Sequence, residues 1–181
     1  ALGPLCTEKI IVTRHLKDTM PDVFRSFARV SAIAPGVLGL TGVETGEVVL
    51  GLCEKIRPDA IIAIDSLVSR KLSRLCRTIQ LSDTGITPGG GIAPGRFPLD
   101  EQTLHTPVLA LGIPTVVEAR TLAADLCPNA PPEEELPPTS LIVTPKDIDA
   151  LMVKSAKILG YAIDMALHTH LSVEDIESLL S

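Results

Sequence analysis

Apolar residues fall along this chain in two alternating patterns, short unbroken runs and helical repeats. One run, Ala60-Ile61-Ile62-Ala63-Ile64, follows Pro58-Asp59 and is closed by Asp65; its length and isoleucine content are those of a buried parallel strand. Shorter runs predict strands over residues 9–13 (KIIVT), 78–81, 108–112 (VLALG) and 141–143. Val23, Phe24, Phe27, Val30 and Ile33 recur at helical spacing in residues 21–34. Gly36 and Gly39 punctuate the stretch after it. Thr45 is placed to cap a helix that carries Glu47 in its first turn, buries Val48, Val49, Leu52 and Ile56, and stops at Pro58. Further helices are expected over residues 67–75 and, after Pro114, over 115–126. Thr144-Pro145-Lys146-Asp147 has cap, proline and acid in the order of a helix start. Ile148, Leu151, Met152, Leu159, Ala162, Ile163 and Ala166 then line one face, and Ser172 caps a terminal helix over 173–180. Residues 128–138 (PNAPPEEELPP) are a loop by composition.

Strands alternating with helices predict an α/β fold, a doubly wound and mostly parallel sheet flanked by helices, over one domain of residues 1–181. The helix faces are apolar enough that some are expected between subunits. At 45% hydrophobic residues the chain is globular rather than disordered. Aromatics are only 2%, without Trp, and the formal charge is −6, which argues against a base-stacking or phosphate-binding surface and leaves a basic protein as partner. Cys6, Cys53, Cys76 and Cys127 form no C-x-x-C pair and read as buried free thiols of a reducing compartment. No apolar stretch reaches membrane-spanning length, and no signal peptide is visible. The abrupt start at Ala1-Leu2-Gly3-Pro4 leads us to expect a further N-terminal segment in the natural protein.

The candidate chemistry centres on carboxylates. Asp65, at the carboxyl end of its expected strand, stands where open α/β sheets place ligands; the alternative is a helix cap for the segment from Leu67. Asp83 follows Thr78-Ile79-Gln80-Leu81-Ser82. Either it faces Asp65, so that one acid and one base share a water, or it makes an Asx-turn at Asp83-Thr84-Gly85. Glu44 either supports the site or simply starts a helix. Gly89-Gly90-Gly91 between Pro88 and Pro94 lacks the phosphate-binding spacings and reads as a mobile loop beside the site. His15, His105, His168 and His170 have no H-E-x-x-H spacing, and His168 and His170 close a helix where cations are favoured. There is no G-x-S-x-G elbow, and the cysteines lack a neighbouring His. No metal and no cofactor are expected.

Several longer motifs, in this order, carry a resemblance. They are Ala1-Leu2-Gly3-Pro4, Val12-Thr13-Arg14-His15-Leu16, Gly42-Val43-Glu44-Thr45, Ile62-Ala63-Ile64-Asp65-Ser66-Leu67, Thr78-Ile79-Gln80-Leu81-Ser82-Asp83-Thr84-Gly85-Ile86 and Pro88-Gly89-Gly90-Gly91. Beyond these stand Gly112-Ile113-Pro114-Thr115-Val116-Val117, Val143-Thr144-Pro145-Lys146-Asp147-Ile148-Asp149 and Ala166-Leu167-His168. The chain resembles the germination protease family of spore-forming bacteria. The resemblance implies a hydrogenase-maturation-protease-like fold and an aspartic-type endopeptidase without metal or cofactor. It also implies a zymogen, assembly as a homotetramer, and a place in the cytoplasm of the spore core with neither membrane nor nucleic acid as direct partner. The substrates implied are small acid-soluble spore proteins, degraded during germination. One catalytic carboxylate falls on Asp65; the other belongs to an Asp immediately before Ala1, which this sequence does not contain. Asp83, Glu44, Gly89, Gly90 and Gly91 are expected to support or bind. The rival readings are a maturation-type peptidase acting on another protein and a non-catalytic binding or assembly module of the same fold.

Overall fold

The apolar run that opens at Ile61 does not stop at Asp65; the strand continues to Ser69. A computed structural model describes residues 2–90, 96–127, 129–137 and 139–181. They cluster into two compact units, Ala1–Ala34 with Asp149–Ser181, and Pro35–Ile148. The first unit begins with helices α1 (Leu2–Thr7) and α2 (Arg14–Thr19). The second holds α3 (Leu38–Thr41), α4 (Thr45–Ile56), β1 (Ile61–Ser69), β2 (Gln80–Ser82), α5 (Glu101–Leu104), β3 (Val108–Glu118), α6 (Ala119–Leu126) and β4 (Ile142–Val143). The chain ends in α7 (Ile148–Leu167) and α8 (Val173–Leu179). Among the described residues no helix is long and apolar enough to cross a membrane.

The sheet of the second unit is mixed, not mostly parallel. β1 pairs in parallel with β3, while β2 and β4 pair antiparallel with β3. A parallel return needs a crossover of about a dozen residues or more, usually a helix. Between Ser69 and Gln80 the chain forms instead a single 3-10 turn at Leu72–Arg74, so β2 comes back antiparallel to β1. The helix expected over 67–75 is therefore absent. Leu67, Val68 and Ser69 pair with Pro114, Val116 and Val117, and the register skips Thr115. Pro114 has no N–H to give the ladder, which accounts for a bulge there. The helix expected from Thr115 starts only at Ala119, because Thr115-Val116-Val117 is β-branched and prolongs β3.

Side chains alternate along a strand, so Ile61, Ala63 and Asp65 share a face. Ala63 joins Leu99, Leu104 and Val108 in the core, with Val49, Leu50, Ile61, Ile86 and Phe97 packed around them. Asp65 is thus the next residue on a row that has just left that core. Thr144 does not cap α7: its hydroxyl donates to the Thr115 carbonyl at 2.8 Å, and α7 begins at Ile148.

The first unit replaces two expected elements with side-chain contacts. Residues 9–13 are no strand; they lie against α7. A β-carbon on Gly160 would stand 2.6 Å from the Lys9 carbonyl oxygen, and the Ile11 N–H donates to both carboxylate oxygens of Asp164 at 3.1 and 3.2 Å. Four helical residues advance about 6 Å, and two extended residues about 6.5 Å, so contacts at Lys9 and Ile11 match Gly160 and Asp164. Residues 21–34 are no helix, because other groups take their backbone. Lys17 Nζ donates to the carbonyls of Phe24, Arg25 and Phe27, Thr13 Oγ1 donates to the Ala28 carbonyl, and the Ala28 N–H donates to His168 Nδ1. The Phe27 ring packs on His168 and His170, with centroids 5.2 and 4.7 Å away. On α7 the buried set is Met152, Ala156, Leu159, Gly160, Ile163 and Asp164, whereas Ala162 and Ala166 are exposed. Ser172 caps α8 as expected, accepting from the Asp175 N–H at 3.2 Å.

Candidate active site

Asp65 is half-buried in the middle of β1, beside Gly112 of β3. It is neither at a strand end nor a helix cap. Loss of water around the carboxyl raises its pKa above the ordinary carboxylate value; the N–H groups of Ser66 and Gly89 oppose that rise. The Ser66 N–H donates to Oδ1 at 2.8 Å. A carboxyl that resists ionisation while keeping contact with solvent can take up and return a proton.

Gly89 reaches this carboxyl through a tight turn. Pro88 and Gly89 stand between Thr87 and Gly90, the Gly90 N–H donates to the Thr87 carbonyl at 2.9 Å, and Gly89 has φ +68°. Proline followed by a residue with positive φ is the signature of a type II turn, which glycine adopts without strain. Gly90 lies tightly on Thr87 within the same turn. Gly91, expected to belong to this loop, lies outside the described residues.

Glu44 precedes the first turn of α4, and its N–H donates to Glu47 Oε2 at 3.1 Å. It, not Thr45, occupies the cap position. Its carboxylate also accepts from Arg96 Nη1 at 2.9 Å, with the two side chains 30% and 28% exposed. Arg96 Nε lies 3.9 Å from where a Gly89 β-carbon would stand. Phe97 holds the arginine's backbone in place: its ring lies so close to Gly46 of α4 that a β-carbon there would overlap it. Asp65, Gly89, Arg96 and Glu44 therefore form one chain of neighbours. Sequence reasoning missed Arg96. Its only signal was an Arg-Phe pair after a glycine-rich stretch, and its partner Glu44 stands 52 residues away.

Asp83 does not join them. It is exposed, and among the described residues no hydrogen bond links it to Asp65. The register sets Ser82 two strands and two residues from Asp65, about 12 Å. Nor does Asp83 make the turn that follows: Ser82 Oγ accepts from the Thr84 N–H at 3.1 Å.

A second carboxyl was not foreseen. Asp164, on the buried face of α7, is fully enclosed, and burial pushes its pKa up to about 6 against the pull of the Ile11 N–H. His168, one turn on, is also fully buried, and its pKa is lowered chiefly by burial, so it is not the solvated helix-end cation expected. Its Nε2 has no hydrogen-bond partner among the described residues. The only sequence sign was an acid within an apolar stripe, Ile163-Asp164-Met165. All four cysteines are free, but Cys127 is exposed rather than buried. Burial raises the Cys6 thiol to about 11, which silences it as a nucleophile. Among the described residues no group of three or more His, Cys, Asp or Glu could hold a metal ion.

A family model described as germination protease matches residues 1–128. A germination protease of Clostridium perfringens (strain SM101 / Type A) is 42% identical over 212 aligned positions, covering all of this chain and 65% of that relative. One from Clostridium tetani is also 42% identical, with 66% of its length covered. One from Halalkalibacterium halodurans is 52% identical over 126 positions, covering 69% of this chain and 34% of the relative. The chain thus spans about two-thirds or less of the length of these relatives.

Proposed function

The chain belongs to the germination protease family, and on that footing we propose that it carries a catalytic carboxylate of a spore-germination endopeptidase. The observation that carries the reading is Asp65, a desolvated carboxyl on a rigid strand, open to solvent and set beside the Gly89 turn. Ionised, Asp65 takes a proton from water as the water oxygen attacks the peptide carbonyl. A partner acid of the complete protein gives a proton to the leaving amine. The net charge of −6 favours a basic substrate, and small acid-soluble spore proteins are the substrate class we assign. The hydrogenase-maturation-protease-like arrangement, synthesis as a zymogen, the tetramer, the spore-core location and the absence of a metal belong to the same proposal. Glu44, Gly89 and Gly90 support the site; Asp83 is left a substrate-contacting role at its exposed position.

The test is cleavage of a purified small acid-soluble spore protein by the full-length natural protein and by its Asp65→Asn variant, with folding checked by circular dichroism. We expect the variant to lose about 10²–10⁴-fold in turnover, the contribution of a positioned acid or base, and expect a chelator to leave the unmutated enzyme active. Normal turnover by Asp65→Asn would overturn the assignment. Intact binding of the spore protein by an uncleaving wild-type enzyme would favour the binding-module reading.

A further inference from the structure

We propose that Arg96 is the electrophilic partner of Asp65, the group that receives the substrate's carbonyl oxygen as it becomes an oxyanion; the inference rests on the peptidase reading above. Three observations place it there. The guanidinium stands next to Gly89, whose amide faces the Asp65 carboxyl, so acid and cation flank one glycine. Gly89 itself is exposed, and among the described residues beyond its chain neighbours only Arg96 Nε lies within 4 Å of where its β-carbon would stand, which leaves that residue accessible to a peptide group. Finally, the arginine is fixed from two sides, its side chain by Glu44 at 2.9 Å and its backbone by Phe97 against Gly46.

The chemistry follows from that fixed position. Glu44 engages Nη1, and among the described residues Nη2 and Nε–H have no acceptor. Arginine stays protonated throughout, and a cation held before the reaction needs no reorganisation when charge develops. The Asp65 carboxylate removes a proton from water, the water oxygen bonds to the carbonyl carbon, and the C=O π pair moves onto oxygen, where the Arg96 N–H groups receive it. When the pair returns, the C–N bond breaks and the amine leaves with a proton from an acid of the site. Glu44 thereby becomes a positioning residue: it holds Arg96 without touching substrate.

The test uses the full-length enzyme with a spore-protein substrate. Arg96→Ala is expected to lower kcat about 10²–10³-fold, the cost of losing an oxyanion donor, with KM within about threefold, and added guanidinium at millimolar concentration should restore part of the rate. An ion pair serving only to start α4 predicts otherwise: kcat within threefold of wild type, or loss confined to KM, or no guanidinium rescue, overturns the proposal. Should Arg96→Ala fail to fold, Arg96→Lys decides. It keeps the charge but offers one ammonium in place of a fork, and kcat should fall at least about tenfold with unchanged melting; full activity overturns the proposal. If the wild-type enzyme does not cut, the peptidase reading fails and this inference with it. If it cuts, Asp65→Asn does not, and the Arg96 variants do, the Arg96 role alone is wrong.

Discussion

Replacing Asp164 by Asn should flatten the dependence of stability on pH. Asp164 is fully enclosed, with one N–H as its donor, and its pKa stands at about 6 against an ordinary value of 3.8. Below that ordinary value the carboxyl is protonated whether the chain is folded or not. Between about pH 4 and pH 6 the unfolded chain has released this proton while the folded one keeps it. The folded state then binds more protons, so stability falls as pH rises, and the loss is complete above about pH 6. A rise of about two units at about 1.4 kcal/mol each amounts to about 3 kcal/mol. Asn fills the same volume without titrating. The unfolding free energy of Asp164→Asn minus that of wild type should therefore grow by about 3 kcal/mol from pH 4 to pH 7.5 in urea titrations. His168 titrates in the opposite sense, since a buried base with a lowered pKa costs stability as pH falls; it is present in both proteins and enters the difference only through its coupling to residue 164, one turn away. The constant offset depends on the new amide's unpaired N–H groups and is not diagnostic. Profiles that stay parallel within about 0.5 kcal/mol would refute a neutral buried Asp164.

Three further outcomes test the remaining contacts. Gly46→Ala, which sets a methyl group against the Phe97 ring, should cost about 1–3 kcal/mol in denaturant unfolding and should lower turnover by displacing Arg96; wild-type stability would show that the ring yields freely. Thr13→Val removes the donor to the Ala28 carbonyl and the acceptor of the Val30 N–H, and should cost about 2–4 kcal/mol by the same measurement, with a change under about 0.5 kcal/mol counting against it. In the pH profile of kcat/KM, activity should fall with falling pH through a group titrating above the ordinary Asp value, because a raised pKa leaves less base at a given pH; an acid limb at or below 3.8 would exclude Asp65 as that base.

The apolar patterning announced strands β1 and β3 and helix α4, and it placed Asp65 on the right strand. What it misjudged was where strands end. Leu67-Val68-Ser69 and Thr115-Val116-Val117 pair with each other, and that pairing overrides the helical reading each invites alone. Pro114 looked like a helix start because the role it has, beside a bulge on β3, exists only once β1 is alongside. Residues 9–13 and 21–34 failed for another reason. Their apolar periodicity is real, but their backbone groups are claimed by Asp164, Thr13, Lys17 and His168, and side-chain-to-backbone bonds leave no periodic trace. Glu44 was legible as a helix start and, more faintly, as a site residue; it is the first by position and joins the site only through Arg96.

Asp65 and Asp164 show why a raised pKa does not by itself mark a catalytic acid. Both carboxyls owe the rise to lost water. Asp164 is closed on every side, its two oxygens share the Ile11 N–H, and α7 holds it in place, so a substrate could reach it only by dismantling the unit it stabilises. Asp65 is only half-buried, so the core desolvates it without enclosing it, and the residue whose N–H meets its carboxyl, Gly89, is exposed and bears no side chain. The same electrostatic perturbation therefore serves architecture at Asp164 and chemistry at Asp65, and what separates them is access. On this reasoning Gly89→Val should lower turnover of a spore-protein substrate, and because a side chain is also strained at φ +68° its melting should fall as well: the glycine serves the turn together with access to Asp65, and wild-type turnover by the variant would refute the access argument.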